Sequence, residues 1–305
     1  MTAEDALSVR PVMASLIRPF VHLFLQKASC ITQLDTDIRP EDMKSAHERL
    51  LSGIPILMTL SLKPWRKPLE AACEWMLPAI REAFPAIGGD IEAVTAAHRS
   101  GNLPLSDLSE EYLNGSFTHY EPLARSIGVS ADTLAFVMNT VLSTVLEAVA
   151  PRIWAGMEDV RWSKGNCPIC GSLPSVSYLA KPSGDAGEFL KDSGGKKFLH
   201  CALCGHNWRI NRHICPACDN TDAELRFFLN VPDYPGERVD ICRKCGFYLP
   251  CADLRERSAM PHLDTAAVCM VHLDILARQQ SFKPLSYLPW NRIEDGIEPP
   301  QDISS

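Results

Sequence analysis

Apolar positions in the first half of the chain recur at steps of three and four. The clearest stripe starts near Ser130: Leu134, Val137, Met138, Val141, Leu142, Val145, Leu146 and Val149 share one helical face, and Pro151 follows. The stretch WRKPLEAACEWMLPAIREAF repeats the spacing with Leu69, Ala72, Cys73, Met76, Leu77 and Ile80, while Pro68 and Pro78 start or bend the helix. Three shorter helices are predicted. PEDMKSAHERLLSG has Pro40 at its first position and Gly53 as its stop. DIEAVTAAHRSG has Asp90 as N-cap and Gly101 as stop, and LSEEYLNGSF starts from Ser109. Apolar stripes need partners, so residues 1 to about 160 predict a multi-helix bundle.

The pattern changes near Trp162. Between Lys164 and Pro250 the long stripes give way to short apolar runs, SLPSVSYLA, KFLHC, ELRFFLNV and RVDIC, each bounded by glycine or cysteine. Such runs suit strands. KPSGDAGEFLKDSGGKK is polar and glycine-rich, a loop or hairpin excursion. MPHLDTAAVCMVHLDILARQQ returns to helical spacing through Leu263, Ala267, Met270, Val271 and Leu276, and the acidic segment from Asn291 reads as a surface tail. The expected class is α+β. Residues 1–162 form a helical domain, 163–211 a first four-cysteine module, 212–255 a second, and 256–305 a C-terminal helix and tail.

Four Cys-x-x-Cys pairs punctuate the strand region: Cys167/Cys170, Cys201/Cys204, Cys215/Cys218 and Cys242/Cys245. Two residues between cysteines let both sulfurs reach one ion from a single turn, and two such pairs make a tetrahedral four-thiolate site. Gly171, Gly205 and Gly246 follow three of the pairs and suit the positive φ of such a turn; Asp219 follows the other. Sequential pairing leaves thirty and twenty-three residues between partners, room for strands, whereas nesting would leave ten between the inner pairs. The sequence therefore predicts two metal sites, one on each sequential set. A tetrahedron of thiolates suits zinc and a single iron alike.

Other candidates carry less. His200, His206 and His213 flank the pairs and read as surface or supporting groups. Cys251 reads as an ordinary thiol, and Cys30, Cys73 and Cys269 as core packing. Arg209, Arg212 and His213 make a small basic spot beside Trp208, in the bland reading a solvated strand face. No Ser-His-Asp order, nucleotide loop or His-Glu-x-x-His stands out.

Charge narrows the partners. The formal net charge is −7, made up of −6 over residues 1–163, +2 over 164–250 and −3 over 251–305. A divalent ion on four thiolates adds −2 to the middle region and a ferric ion −1, which disfavours nucleic acid or an anionic membrane as the main partner. The apolar stretch from Leu134 is interrupted by Asn139, Ser143 and Glu147, so stable membrane insertion is not expected. MTAEDALSVRPVMASL carries acids early and lacks a basic stretch before an apolar core. A cytoplasmic, thiol-reducing location is the expectation, which disfavours a disulfide framework.

The segments CPICGSLP, FLHCALCGHNWRINRHICPACDN and RVDICRKCGFYL, with HLDTAAVCMVHLDILARQQSF and PWN further on, resemble the formate dehydrogenase accessory protein family, FdhE. The likeness runs from about Cys167 to Asn291; the N-terminal part shares only its acidic, helical character. It implies an accessory role without catalytic residues, in which the protein binds the formate dehydrogenase catalytic subunit before export by the twin-arginine route. It also implies two metal ions on the eight cysteines. The CPICG and CPACD turns are similar to half of a rubredoxin site, which favours iron, with zinc the alternative. The loop around GDAGEFLKDSGGKK is longer than the family pattern, and ARQQSF lacks an acidic residue common in that helix. A homo-oligomer is compatible with this reading. The rival classes are a rubredoxin-like electron-transfer protein and a zinc-ribbon nucleic-acid-binding protein; a thioredoxin-like oxidoreductase would need a βαβ setting that the pattern lacks.

Overall fold

The computed structural model describes residues 11–36, 40–157, 159–181, 195–257 and 259–292. The glycine-rich excursion over 182–194 and the tail beyond Arg292 lie outside the described residues.

Among the described residues seven α-helices precede the first strand. They are α1 (Ala14–Ile31), α2 (Pro40–Leu51), α3 (Arg66–Ala83), α4 (Gly88–Arg99), α5 (Leu105–Leu113), α6 (Tyr120–Ile127) and α7 (Ala131–Trp154). Helix α7 is the axis of the bundle, and the stripe from Leu134 to Val149 is buried along its length. Its start is capped as its sequence suggests: Ser130 Oγ accepts from the Thr133 amide at 3.0 Å. Helix α7 is long and apolar enough to cross a membrane by length and composition, but 72% of its most apolar window is buried within the protein. The apolar face of α3 packs into the same core through Leu69, Cys73, Met76 and Ile80.

Three boundaries differ from expectation. Pro151 lies inside the last turn of α7 rather than after it. Helix α4 begins at Gly88, which puts Asp90 in the first turn, where a carboxylate meets the positive end of the helix dipole. Ser109 is a buried interior residue of α5 rather than its start.

The strands are β1 (Pro174–Ala180), β2 (Lys196–Cys201), β3 (Asn207–Ile210), β4 (Arg226–Asn230), β5 (Glu237–Cys242), β6 (Phe247–Asp253) and the short β7 (Lys283–Pro284). They form one sheet in the order β3-β2-β1-β6-β5-β4, with β7 beside β6. Two antiparallel meanders, one from each four-cysteine module, are thus joined by the parallel pair β1–β6, where Ser177 opposes Cys251 and Leu179 opposes Asp253. The pattern of apolar runs did not mark β6. FYLPCAD carries Pro250 in its middle and follows the last cysteine pair, yet it is a central strand. Its Pro250 carbonyl accepts a bond from Ser177 Oγ at 3.3 Å.

The C-terminal helix is two helices, α8 (Leu263–Cys269) and α9 (Val271–Gln279), divided at Met270. They cover one face of the sheet together with α1. Phe20, Phe24, Val268, Leu273 and Trp290 pack there against Val176, Tyr178, Val239 and Tyr248. From the opposite face Leu199, Trp208, Ile210 and Leu249 join the core of the helical bundle.

Candidate metal centres

Each Cys-x-x-Cys pair sits on a tight turn. In the first and third turns the first cysteine's amide donates to a carbonyl five residues on and its carbonyl accepts from the amide four residues on; Cys201 makes the first of these bonds, to His206 O, and Cys242 the second, from Gly246 N. Thus Cys167 N bonds Ser172 O at 2.9 Å and Gly171 N bonds Cys167 O at 3.0 Å; Cys215 N bonds Asn220 O at 2.9 Å and Asp219 N bonds Cys215 O at 3.0 Å. The residue after the second cysteine has a left-handed backbone, φ +81° at Gly171 and +54° at Asp219. Asp is among the few residues other than glycine that visit this region, which is why the third turn tolerates it.

The sulfurs converge in sequence order. Cys167, Cys170, Cys201 and Cys204 form one group and Cys215, Cys218, Cys242 and Cys245 the other, with all four sulfurs of each group within 4.8 Å of one another. Sulfur separations are 3.5 Å (Cys167–Cys204) and 3.3 Å (Cys170–Cys201) in the first group. In the second both Cys215–Cys245 and Cys218–Cys242 are 3.8 Å apart. A tetrahedron with metal–sulfur bonds of about 2.3 Å has edges of about 3.8 Å, so the second group fits such an ion directly and the first with slight expansion. All twelve cysteines are free thiols.

The two groups differ in surroundings. All four cysteines of the first are buried, and its first turn docks on the bundle: Ile56 N and Leu57 N donate to Pro168 O and Ile169 O at 3.0 and 2.8 Å. In the second group Cys218 and Cys245 are half-exposed.

Electrostatics follow. Burial pushes the Cys170 thiol up, but hydrogen bonds from Cys167, Cys201 and Cys204 outweigh it and hold Cys170 well below the usual thiol range. Burial and the neighbouring sulfurs push Cys201 and Cys204 well up. In the second group Cys242 is drawn down to about 7, burial being outweighed by the amides of Cys245 and Lys244, while burial raises Cys245 to about 11. In each group one sulfur ionises readily and others resist adding charge beside it. A cation at the centre removes that resistance, so the donor set suits a soft or borderline metal ion. When bound, such an ion cross-links the two turns, and iron would in addition offer a one-electron couple.

The histidines part company. His200 is buried, with Nδ1 2.9 Å from Asn207 Oδ1 and Nε2 3.2 Å from Asp264 Oδ1. His206 lies at a tilt against Trp154, ring centroids 4.5 Å apart, and burial pushes it down to about 4. His213 is exposed, and its Nε2 accepts from Arg212 Nε at 3.0 Å. None of the three is in either sulfur group. Cys251 lies buried at the centre of the sheet, opposite Ser177 and Arg238, outside both groups. Cys30, Cys73 and Cys269 are buried in the two cores, and burial raises the Cys30 thiol to about 11 and the Cys73 thiol to about 12.

One arrangement had no signal in the sequence. Lys27 of α1 places Nζ against Glu147 of α7 and 3.4 Å from Asp264 of α8, whose other oxygen meets His200. This buried chain of charges touches the first centre, because a Cβ added at Gly205 would lie 3.1 Å from Glu147 Cγ. Its members span 237 residues of sequence, and no local motif joins them.

No family model matches the chain. Curated proteins do. The "Protein FdhE homolog" of Aquifex aeolicus is 34% identical over 158 residues, 51% of each chain. That of Haemophilus influenzae is 29% identical over 220 residues, 72% of this chain and 64% of the relative. The crystal structure of the FdhE protein from Pseudomonas aeruginosa superposes with a TM-score of 0.64 at 18% identity, covering 93% of this chain and 92% of that one. This chain resembles the FdhE proteins in sequence and shares their fold. The matched part spans 51% and 64% of the Aquifex and Haemophilus FdhE relatives. The shared fold covers the helical region, the part that carries the two four-cysteine groups of this chain, and the helices that follow them.

Proposed function

We propose that the chain is a non-catalytic accessory factor in the maturation of a formate dehydrogenase, and that its eight paired cysteines hold two metal ions. The observation that carries this reading is the pair of four-sulfur groups, set in order on a fold shared with an FdhE crystal structure. The metal ligands are Cys167, Cys170, Cys201 and Cys204 in one site and Cys215, Cys218, Cys242 and Cys245 in the other. The favoured ion is iron of the rubredoxin kind, with zinc the structural alternative. In this reading residues 1–162 and 256–305 carry the modules of 163–211 and 212–255. The partner is the catalytic subunit of the dehydrogenase, held in the cytoplasm before twin-arginine export.

The test is an anaerobic pull-down of the tagged, metal-loaded chain from its host, with retained proteins identified by mass. Recovery of a formate dehydrogenase catalytic subunit is expected. Recovery of a flavoprotein reductase without that subunit would move the reading to an electron carrier, and recovery of nucleic acid to a ribbon-type binder.

A further inference from the structure

The third cysteine turn ends on a residue whose side chain crosses the second metal centre. Asn220 stands just past Asp219 with its left-handed backbone, and its carbonyl accepts the Cys215 amide that closes the turn. The residue is 6% exposed, so its side chain lies in the protein rather than in water. There Nδ2 is 3.6 Å from Cys242 Sγ, a sulfur of the opposite turn, twenty-two residues away in sequence.

Which end of the amide faces the sulfur follows from the other end. Asn220 Oδ1 is 3.3 Å from the Asp222 amide, and a backbone N–H can only donate, so the atom it meets is the oxygen. The nitrogen is left for the sulfur, and a thiolate accepts. The bond to Asp222 is an Asx turn, in which a side chain stands in for the backbone of a turn. The chain beyond it is fixed as well. Asp222 Oδ1 accepts from the Glu224 amide at 2.9 Å, and Arg226 donates to Asp222 O and Thr221 O, both at 3.2 Å. Arg226 starts β4 and sits opposite Cys242 on β5. Asn220 is thus held from both sides of the centre. The first centre differs at this place. Its turns end on Ser172 and His206; Ser172 hydrogen-bonds to Cys170 of its own pair, a bond within one turn rather than between two.

We propose that Asn220 is a positioning residue of the second metal centre, its side-chain amide donating to the Cys242 thiolate and tying the third turn to the fourth. This rests on the reading that the second sulfur group holds an ion, and it assigns a residue outside the ligand set that keeps the ion in place. Donation to a ligating sulfur draws negative charge off it, which offsets the repulsion among four thiolates and lowers that sulfur's donor strength. Removing such a partner costs about 10–100-fold in metal affinity.

The test uses the full chain loaded with cobalt(II), whose thiolate-to-cobalt absorption reports how strongly the sulfurs donate. Asn220→Asp keeps the oxygen that accepts from the Asp222 amide and removes the N–H that meets Cys242, so the turn survives and the donor goes. The unaltered chain should take up two equivalents. In Asn220→Asp the absorption of one equivalent should move to lower energy, and that equivalent should pass to a competing chelator with an affinity weakened about tenfold or more. Asn220→Ser is the uncharged check: its shorter side chain can still accept in the turn but cannot span to the sulfur, and the same equivalent should move the same way. Should Asn220→Asp fail to fold, Asn220→Ser decides alone. Two equivalents with both absorptions unmoved would overturn the proposal and leave the metal centres standing. A shift shared equally by both equivalents would overturn it too, since Asn220 would then support the fold at large. Failure of the unaltered chain to take up two equivalents would overturn the metal reading along with it.

Discussion

Lys27 has an unforgiving position. Its ammonium is buried between Glu147 and Asp264; burial alone would lower its pKa, but the two carboxylates hold it above the usual lysine range. Removing one partner of a buried ion network leaves the others without compensation, which costs about 3–5 kcal/mol. Lys27→Met should lose stability on that scale in equilibrium denaturation, more than its lost packing explains. Asp274 sets up a pH dependence of its own. Burial pushes its carboxyl up to about 7, against donation from the Tyr248 hydroxyl at 2.8 Å and from Asn291. Because the folded state favours the protonated form, this stability is full below the ordinary carboxylate pKa and is lost as pH rises through about 7. Between pH 5 and pH 8 the loss comes to about 3 kcal/mol. Asp274→Asn should flatten that part of the profile in denaturation curves taken across the range. The family-like PWN thus has a structural job: Asn291 donates to Asp274 and to Ser286 O, and accepts from the Leu288 amide at 2.8 Å.

At the scale of elements, helix α7 depends on its cap. Ser130→Ala should cost about 1 kcal/mol in thermal or chemical denaturation, because the Thr133 amide loses its acceptor. The four-cysteine turns should respond unequally. Cys167→Ser should remove one metal equivalent and destabilise the whole chain, because its turn is bonded to the bundle at Ile56 and Leu57. Cys215→Ser should also remove one equivalent, seen by native mass spectrometry, but with a smaller loss of global stability. During chelation the second centre should empty first, through the half-exposed Cys218 and Cys245. Elements were legible where a local rule suffices: the stripe of α7, the apolar strands, and turns closed by Gly171 or Gly246. They were illegible where the rule misled. Pro250 disguised β6, Ser109 looked like a cap, and a helical spacing through Met270 hid the division between α8 and α9. In each case tertiary burial overrode the local signal.

At the scale of the whole molecule, the two centres are mechanically joined. They share one sheet through β1 and β6, and their loops touch: a Cβ at Gly165, just before the first centre, would lie 1.7 Å from Pro216 O in the second. Gly165→Ala must therefore push the loops apart, at a cost of roughly 1–3 kcal/mol, and should loosen metal at the second centre although it changes no ligand. Metal content and melting of that variant test the coupling. This joining was not legible, because a parallel pairing between residues as distant as Ser177 and Cys251 leaves no periodic trace. The basic spot at Arg209 and Arg212 was visible as composition. Only the strand order showed that it lies by β3, the end strand of the sheet among the described residues.

The parallel pair β1–β6 also bears on how the chain is made. Translation delivers the N-terminal side of the sheet long before Cys251, which completes the centre of it. The earliest helix waits longer still, since Phe20 packs edge-on against Trp290 at 5.4 Å and Lys27 must meet Asp264. Domains usually fold as they leave the ribosome, N-terminal first. Here a segment made later closes over one made earlier, so an emerging chain carries Cys167 to Cys204 on an unfinished sheet. The native arrangement is reached only after Trp290 has left the ribosome.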